Sequence, residues 1–86
     1  MKVRLPSPLQ NYTGGRAEIE ADGQSLDELL WDLDRRYPGI RFRMIDEQGS
    51  VRPHIRLFVN ATLQRSLQVP LNKYDEVIIV AALSGG

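Results

Sequence analysis

The sequence of 86 residues contains no cysteine, which excludes disulfides, thiolate metal sites and cysteine nucleophiles. It also lacks an excess of either charge, because eleven Lys+Arg balance eleven Asp+Glu, so the basic surplus that holds nucleic-acid phosphates is missing. The longest apolar run, Val77 to Leu83, is too short to cross a bilayer, and the N-terminus lacks the apolar stretch of a signal peptide. We therefore expect a cytoplasmic protein that binds neither nucleic acid nor membrane.

Residues that could carry catalysis are equally scarce. The single histidine, His54, follows Pro53 and has no partner that would make it a catalytic base. The adjacent carboxylates are typical of helix starts, helix surfaces and loops, and they predict no metal site. Gly14-Gly15 follows a turn instead of opening a helix, and the phosphate-loop motif is absent. The chain is thus predicted to have no catalytic residue, no metal and no bound cofactor of its own.

The first half of the chain predicts two strands and one helix. Apolar and charged residues alternate over Met1 to Leu5 and again over Arg16 to Ala21, and the turn cluster Asn11 to Gly15 makes these two strands a hairpin. Ser25 and Glu28 have the spacing of a capping box, in which the Glu side chain reaches back to the N–H of the cap residue. A helix is therefore predicted to begin at Ser25.

The predicted helix has one apolar stripe, and Pro38-Gly39 ends it. The stripe consists of Leu26, Leu29, Leu30, Leu33 and Tyr37. Trp31 lies away from the stripe, so we expect it to be partly exposed and to cover a loop.

The second half predicts a connection and further strands. Ile40 to Pro53 is interpreted as a connection, and Ile55 to Asn60 as a strand with alternating faces. A short strand is expected near Leu67 to Val69, and the β-branched run Glu76 to Leu83 predicts a central strand buried on both faces.

This order of elements predicts an α+β fold with a mixed sheet of four to five strands and one main helix across one face. The first and last strands can then pair in parallel at the centre, which is the β-grasp, or ubiquitin-like, arrangement. Residues 1–83 would form this domain, and residues 84–86 would form a flexible C-terminal Ser-Gly-Gly tail.

The tail is the most informative motif. At average glycine usage, a terminal Gly-Gly arises by chance in about 0.5% of proteins. Four extended residues, Leu83 to Gly86, reach roughly 13 Å past the sheet. Because Gly85 and Gly86 lack side chains, they can pass through a tunnel too narrow for other residues. The pattern predicts a terminal carboxylate that is delivered to a partner enzyme for activation.

With this tail in view, nearly the whole chain resembles the MoaD/ThiS family of ubiquitin-like small sulfur carriers. The matching features, in order, are the Pro6 to Gly15 segment with its Thr-Gly-Gly, the capped helix Ser25 to Tyr37, Tyr37-Pro38-Gly39-Ile40, Phe58-Val59-Asn60, Leu71, Asp75-Glu76-Val77 and Gly85-Gly86. Two features depart from it: Tyr74 stands where the family commonly has Gly, and Ala81-Ala82 where it often has a Pro pair.

The resemblance implies a carrier, not an enzyme. An E1-like adenylating enzyme of the MoeB/ThiF type would use ATP to adenylate Gly86, and the product would become a thiocarboxylate. A sulfur-accepting synthase subunit would then receive the sulfur, in molybdopterin or cysteine biosynthesis. Leu83, Ser84 and Gly85 would be recognised as the tail enters its partners. The Thr13-Gly14-Gly15 hairpin favours the cysteine-type carriers.

Two other classes of function stay open. A ubiquitin-like modifier would join Gly86 to a lysine of another protein through the same adenylate. A plain interaction module would use its sheet, and its terminal glycines would be dispensable.

A docking surface is predicted on the sheet face that the helix leaves open. If Val77 and Ile79 face the helix, then Phe58, Ile78 and Val80 face away from it. Such an apolar patch, rimmed by Arg56 and Arg4, is typical of a protein interface. The alternative is that residues 40–53 or a second copy of the chain covers it.

Overall fold

Five strands and one α-helix form the regular secondary structure of residues 1–82, the part of the chain that the computed structural model describes. The strands are β1 (Lys2–Arg4), β2 (Glu18–Glu20), β3 (Ile55–Val59), β4 (Thr62–Gln64) and β5 (Val77–Ala81). The α-helix is α1 (Leu26–Arg36), and two 3₁₀ helices cover Ser7–Thr13 and Arg41–Arg43. The first 3₁₀ helix occupies much of the connection between β1 and β2, for which the sequence predicted only a turn.

All five strands form one mixed sheet in the order β2-β1-β5-β3-β4. The pair β1 and β5 is parallel, with Val3 opposite Val77, and the other three pairs are antiparallel. These pairings confirm the predicted β-grasp arrangement, in which the first and last strands meet at the centre of the sheet.

The start of α1 differs from the predicted capping box in one bond. Ser25 Oγ accepts a hydrogen bond from the Glu28 N–H at 3.2 Å, as predicted. The Glu28 carboxylate, however, accepts from the N–H of Gln24 at 3.1 Å, one residue before the cap. The box is therefore shifted, and it stabilises the chain's approach to the helix as well as the first turn.

The core lies between α1 and one face of the sheet. Leu29, Leu30 and Leu33 are fully buried, which confirms the predicted stripe. Trp31 is 53% exposed, and the Arg41 guanidinium lies 3.8 Å above its ring centroid. Trp31 thus covers the segment after the helix, as expected.

Residues 40–53 contribute more to the core than a connection should. Ile40, Met44 and Ile45 are fully buried, and Ile45 forms an isolated bridge with Val51. The 3₁₀ turn between Ile40 and Met44 has only three residues, Arg41–Arg43, which is too short to produce a period in the sequence.

The strand predicted near Leu67 to Val69 is wrong. The fourth strand is β4, and the carbonyls of Leu67 and Val69 accept hydrogen bonds from the N–H groups of Asp27 (2.8 Å) and Leu26 (3.0 Å). A helix leaves its first N–H groups without intrahelical partners, and the carbonyls of Leu67 and Val69 serve as acceptors for two of them.

The prediction that the last strand is buried on both faces is also wrong. Val77 and Ile79 are buried against the helix, whereas Ile78 is half-buried and Val80 is 39% exposed. The run of β-branched residues reflects the central position of β5, but only one face of the sheet is covered.

No helix within residues 1–82 has the length and hydropathy to span a membrane.

Candidate functional site

Strand β5 determines where the tail leaves the domain. Ala81 lies opposite Ile55 at the start of β3, and the Ala82 N–H donates to the His54 carbonyl at 2.7 Å. Leu83, Ser84, Gly85 and Gly86, the residues predicted for tail recognition and sulfur attachment, lie outside the described residues. The division into a body of residues 1–83 and a tail of residues 84–86 stays a prediction.

The sheet register brings together the residues predicted for docking. Phe58 lies opposite Ile78, and Arg56 lies opposite Val80 on the same pair of strands. Phe58 and Ile78 are half-buried, and Val80 is exposed. These side chains share the face of the sheet that α1 does not cover.

One further apolar residue belongs to this face. Leu63 on β4 lies opposite Phe58 and is 37% exposed. Ile78, Phe58 and Leu63 therefore form a row across three strands, which with Val80 we call the open-face patch. The sequence analysis did not include Leu63 in the patch because β4 was not predicted. The one sequence feature that pointed to it is that a single apolar residue stands between the polar residues Thr62 and Gln64.

The charged rim of the patch differs from expectation. Arg4 lies 3.8 Å from carboxylate oxygens of both Glu18 and Glu76, so its charge is matched by acids. Arg56 donates from Nη1 to the carbonyls of Pro53 (2.6 Å) and Ile55 (3.0 Å), which holds its guanidinium at the start of β3. Of the two arginines predicted at the rim of the patch, Arg56 is thus the one without an ion pair to an acidic side chain within residues 1–82.

Residues 40–53 do not cover the open-face patch. Their buried side chains, Ile40, Met44 and Ile45, belong to the same cluster as Ile79 on the helix side of the sheet. Because Val80 and Leu63 remain exposed, the alternative in which this segment buries the patch is wrong.

A hydrogen-bond network fixes the start of β5. The Asp75 carboxylate accepts from the Asn72 N–H and from Asn60 Nδ2, each at 2.8 Å, and the Asn60 side-chain oxygen accepts from the Glu76 N–H at 3.0 Å. The bonds from Asn72 and Asn60 lower the pKa of Asp75, so this carboxyl is ionised at neutral pH and holds the loop. Within residues 1–82, no group of three His, Asp or Glu residues is placed to hold a metal ion.

Comparisons with known proteins cover nearly the whole chain. The model of the ThiS family matches residues 3–86. The sulfur carrier protein CysO of Mycobacterium tuberculosis is 29% identical over 89 residues, which cover 98% of this chain and 96% of that protein. A putative sulfur carrier protein of Archaeoglobus fulgidus is also 29% identical, and the match covers 100% of this chain and 98% of that protein.

A solved structure extends this similarity to three dimensions. The crystal structure of the Amycolatopsis orientalis BexX/CysO complex contains a chain that matches with a TM-score of 0.89 and 28% sequence identity. The match covers 99% of this chain and 98% of that chain. The similarity thus extends over the β-grasp body in both sequence and structure.

Proposed function

The chain belongs to the ThiS family, and from this membership we propose that it is a sulfur carrier that works through the carboxylate of Gly86. The observation that carries the proposal is the extent of the family match, which runs to residue 86 and so includes both terminal glycines. The body supports it, because β5 ends at Ala81, five residues before Gly86. Its relatives along nearly their full length are named as sulfur carriers.

The proposed chemistry has two steps on one carbon atom. A carboxylate oxygen of Gly86 attacks the α-phosphorus of ATP, pyrophosphate leaves, and an acyl adenylate forms. A sulfur nucleophile then attacks the carbonyl carbon and AMP leaves, so that one carboxylate oxygen is replaced by sulfur. Because the chain has no cysteine, this acyl group is the one place where it can hold sulfur covalently as a nucleophile.

In this proposal the chain is a co-substrate and its partners are the catalysts. An E1-like adenylating enzyme of the MoeB/ThiF type binds the ATP, so the carrier binds no cofactor. A second protein accepts the sulfur from the thiocarboxylate. We assign that acceptor to cysteine biosynthesis because the curated relatives include CysO proteins and because Thr13-Gly14-Gly15 is typical of cysteine-type carriers.

The open-face patch is proposed to dock the body on these partners. Its four apolar residues are joined across three strands, and Val80 and Leu63 remain exposed. An anchored body reduces the freedom that the tail must lose when it enters an active site, so the body supplies most of the positioning.

The direct test is the intact mass of the chain after incubation with the activating enzyme, ATP and a sulfide source. We expect the mass change of one oxygen replaced by sulfur, with pyrophosphate release. Deletion of Gly86 and the variant Gly85→Val should abolish both signals and leave the melting temperature unchanged, because both changes lie outside the body.

Two results would contradict the proposal. Undiminished pyrophosphate release by the chain without Gly86 would show that another group is activated. Cellular adducts in which Gly86 is joined to lysines, with no thiocarboxylate form, would show a protein modifier instead.

A further inference from the structure

We propose that Phe42, Arg43, Arg52 and His54 form a second contact surface, the tail-root rim, which binds carboxylate side chains of the activating enzyme at the mouth of its tail tunnel. The proposal rests on the proposed function, because it requires that a partner protein takes in the tail. It adds which groups of the partner lie at this surface, namely carboxylates, and which residues of the carrier bind them.

The rim lies where the tail begins. The four rim residues line one surface cleft together with Ala81 and Ala82, the last residues before the tail. The Cα of residue 83 must lie about 3.8 Å from that of Ala82. A tunnel that takes in the tail from its first residue therefore brings its mouth next to this cleft.

The charge of the rim indicates what the mouth carries. Arg43 and Arg52 line the cleft with His54, and among the described residues no Asp or Glu lines it. The charge of Arg52 acts on the carboxylate of Asp46. The pKa of Asp46 is lowered chiefly by the hydrogen bond from the Ser50 N–H and to a lesser degree by this arginine. In a chain of zero net charge, the tail leaves from a locally basic surface, which complements carboxylates on a partner.

Arg52 is held ready to bind a carboxylate. Its Nε donates to the Phe42 carbonyl at 2.7 Å, and its guanidinium lies 4.6 Å above the centroid of the Phe42 ring. An arginine has five N–H donors in a fixed fork, so four remain after this bond. Because the side chain is already oriented, less conformational entropy is lost when a carboxylate binds. Phe42 is itself 54% exposed and offers an apolar contact beside the charge.

Distance favours protein carboxylates over the phosphates of the nucleotide as the ligand of the rim. The reacting carboxylate belongs to Gly86, four residues beyond Ala82, and four extended residues span roughly 13 Å. A tail extended through a tunnel places the adenylate at its far end, whereas the rim lies at the root. The groups that face Arg43 and Arg52 are therefore side chains around the tunnel mouth.

The test measures pyrophosphate release by the activating enzyme as a function of carrier concentration. The variants are Arg43→Glu, Arg52→Glu and both together, and the matched control is Arg65→Glu, an exposed arginine that does not line this cleft. We expect the double variant to raise KM by about tenfold or more with kcat nearly unchanged, because like charges then face each other at the mouth. We expect Arg65→Glu to keep the KM of the parent.

Salt provides a second readout. Because the rim contributes attraction between exposed charges, the parent's KM should rise with ionic strength, and the KM of the double variant should rise less or fall. Melting curves show whether the body of each variant is still folded. Arg43→Glu is the cleaner single variant, since Arg43 has no side-chain hydrogen bond within residues 1–82, whereas Arg52 binds the Phe42 carbonyl.

Three outcomes would overturn the inference. If folded Arg43→Glu and double variants keep the parent's KM, the rim does not bind the enzyme. If Arg65→Glu raises KM equally, total charge and not the rim is recognised. If the parent itself releases no pyrophosphate, the proposed function fails and the inference fails with it. If the parent releases pyrophosphate and the rim variants keep its KM, the inference alone fails.

Discussion

The two-residue turn between β3 and β4 places residues with side chains in the left-handed region, with φ of 49° at Asn60 and 69° at Ala61. Asn tolerates this region, but Ala has no compensating side-chain bond, and glycine is the residue that such turns favour. We therefore expect Ala61→Gly to stabilise the protein by about 1 kcal/mol. Denaturant unfolding of the variant and the parent measures the difference.

Asn60→Gly is the matched control for this turn. It introduces the same freedom one residue earlier, but it removes the bonds of Asn60 to the Asp75 carboxylate and to the Glu76 N–H. We expect this variant to be less stable than the parent. An Ala61→Gly variant no more stable than the parent would show that the turn is not strained at Ala61.

Asp75 should make stability depend on acid pH. Hydrogen bonds from Asn72 and Asn60 hold its pKa in the folded protein below the usual 3.8. A carboxyl with a depressed folded pKa stabilises the fold above its unfolded pKa, and this contribution is lost as pH falls through the folded value. Stability should therefore fall below about pH 4. Asp75→Asn should be less stable at neutral pH and lose less on acidification, as urea unfolding between neutral pH and pH 3 would show.

At the scale of elements, α1 provides the main side of the core, and Leu30 is fully buried within it. We expect Leu30→Ala to lower the free energy of unfolding by about 2 to 5 kcal/mol, because the cavity cannot collapse fully under the sheet. Trp31→Ala is the adjacent control. Since Trp31 is half exposed, its loss removes mainly the contact with the Arg41 guanidinium and should cost less. A larger cost for Trp31→Ala in thermal unfolding would show that the packing of the helix is misassigned.

Local sequence predicted the elements whose pattern repeats. The helix has a cap, a stripe of leucines and a Pro-Gly end, and β3 alternates over five residues, so both could be read from spacing. Strand β4 has three residues and one apolar side chain, Leu63, which is too short a pattern to recognise. Leu67 to Val69 has the composition of a strand, but its carbonyls bind the helix start, a tertiary contact that no local pattern contains.

The open-face patch is a property of the whole sheet, because its members come from three strands. We expect Val80→Asp to weaken binding to the activating enzyme about tenfold or more while the fold persists, since Val80 is already exposed. Tyr74→Asp, at a residue that is 88% exposed and lies outside the strands, is the control and should bind like the parent. Binding measured by calorimetry, with melting curves for both, decides this; a folded Val80→Asp chain with parental affinity would rule out the patch.

The overall topology could be predicted because the order of patterns along the chain allows few ways to cover one helix. The parallel pairing of β1 with β5 followed from that order. The tail-root rim could not be predicted, because Phe42 and Arg52 are ten residues apart and are joined by a hydrogen bond from a side chain to a carbonyl. The alternation of β5 and β3 therefore predicted which side chains share the open face of the sheet, the role of the tail stays a prediction, and contacts between loops were not predicted.

The central position of β5 has a consequence for biosynthesis. During translation, the pairs β1–β2 and β3–β4 leave the ribosome before the strand that lies between them in the sheet. Neither pair alone encloses the core, and contacts between residues as distant as Val3 and Val77 form late. The sheet closes only when β5 inserts, and β5 is also the strand that leads to Gly86. An activating enzyme that binds the folded body therefore uses ATP only on chains in which β5 has completed the sheet.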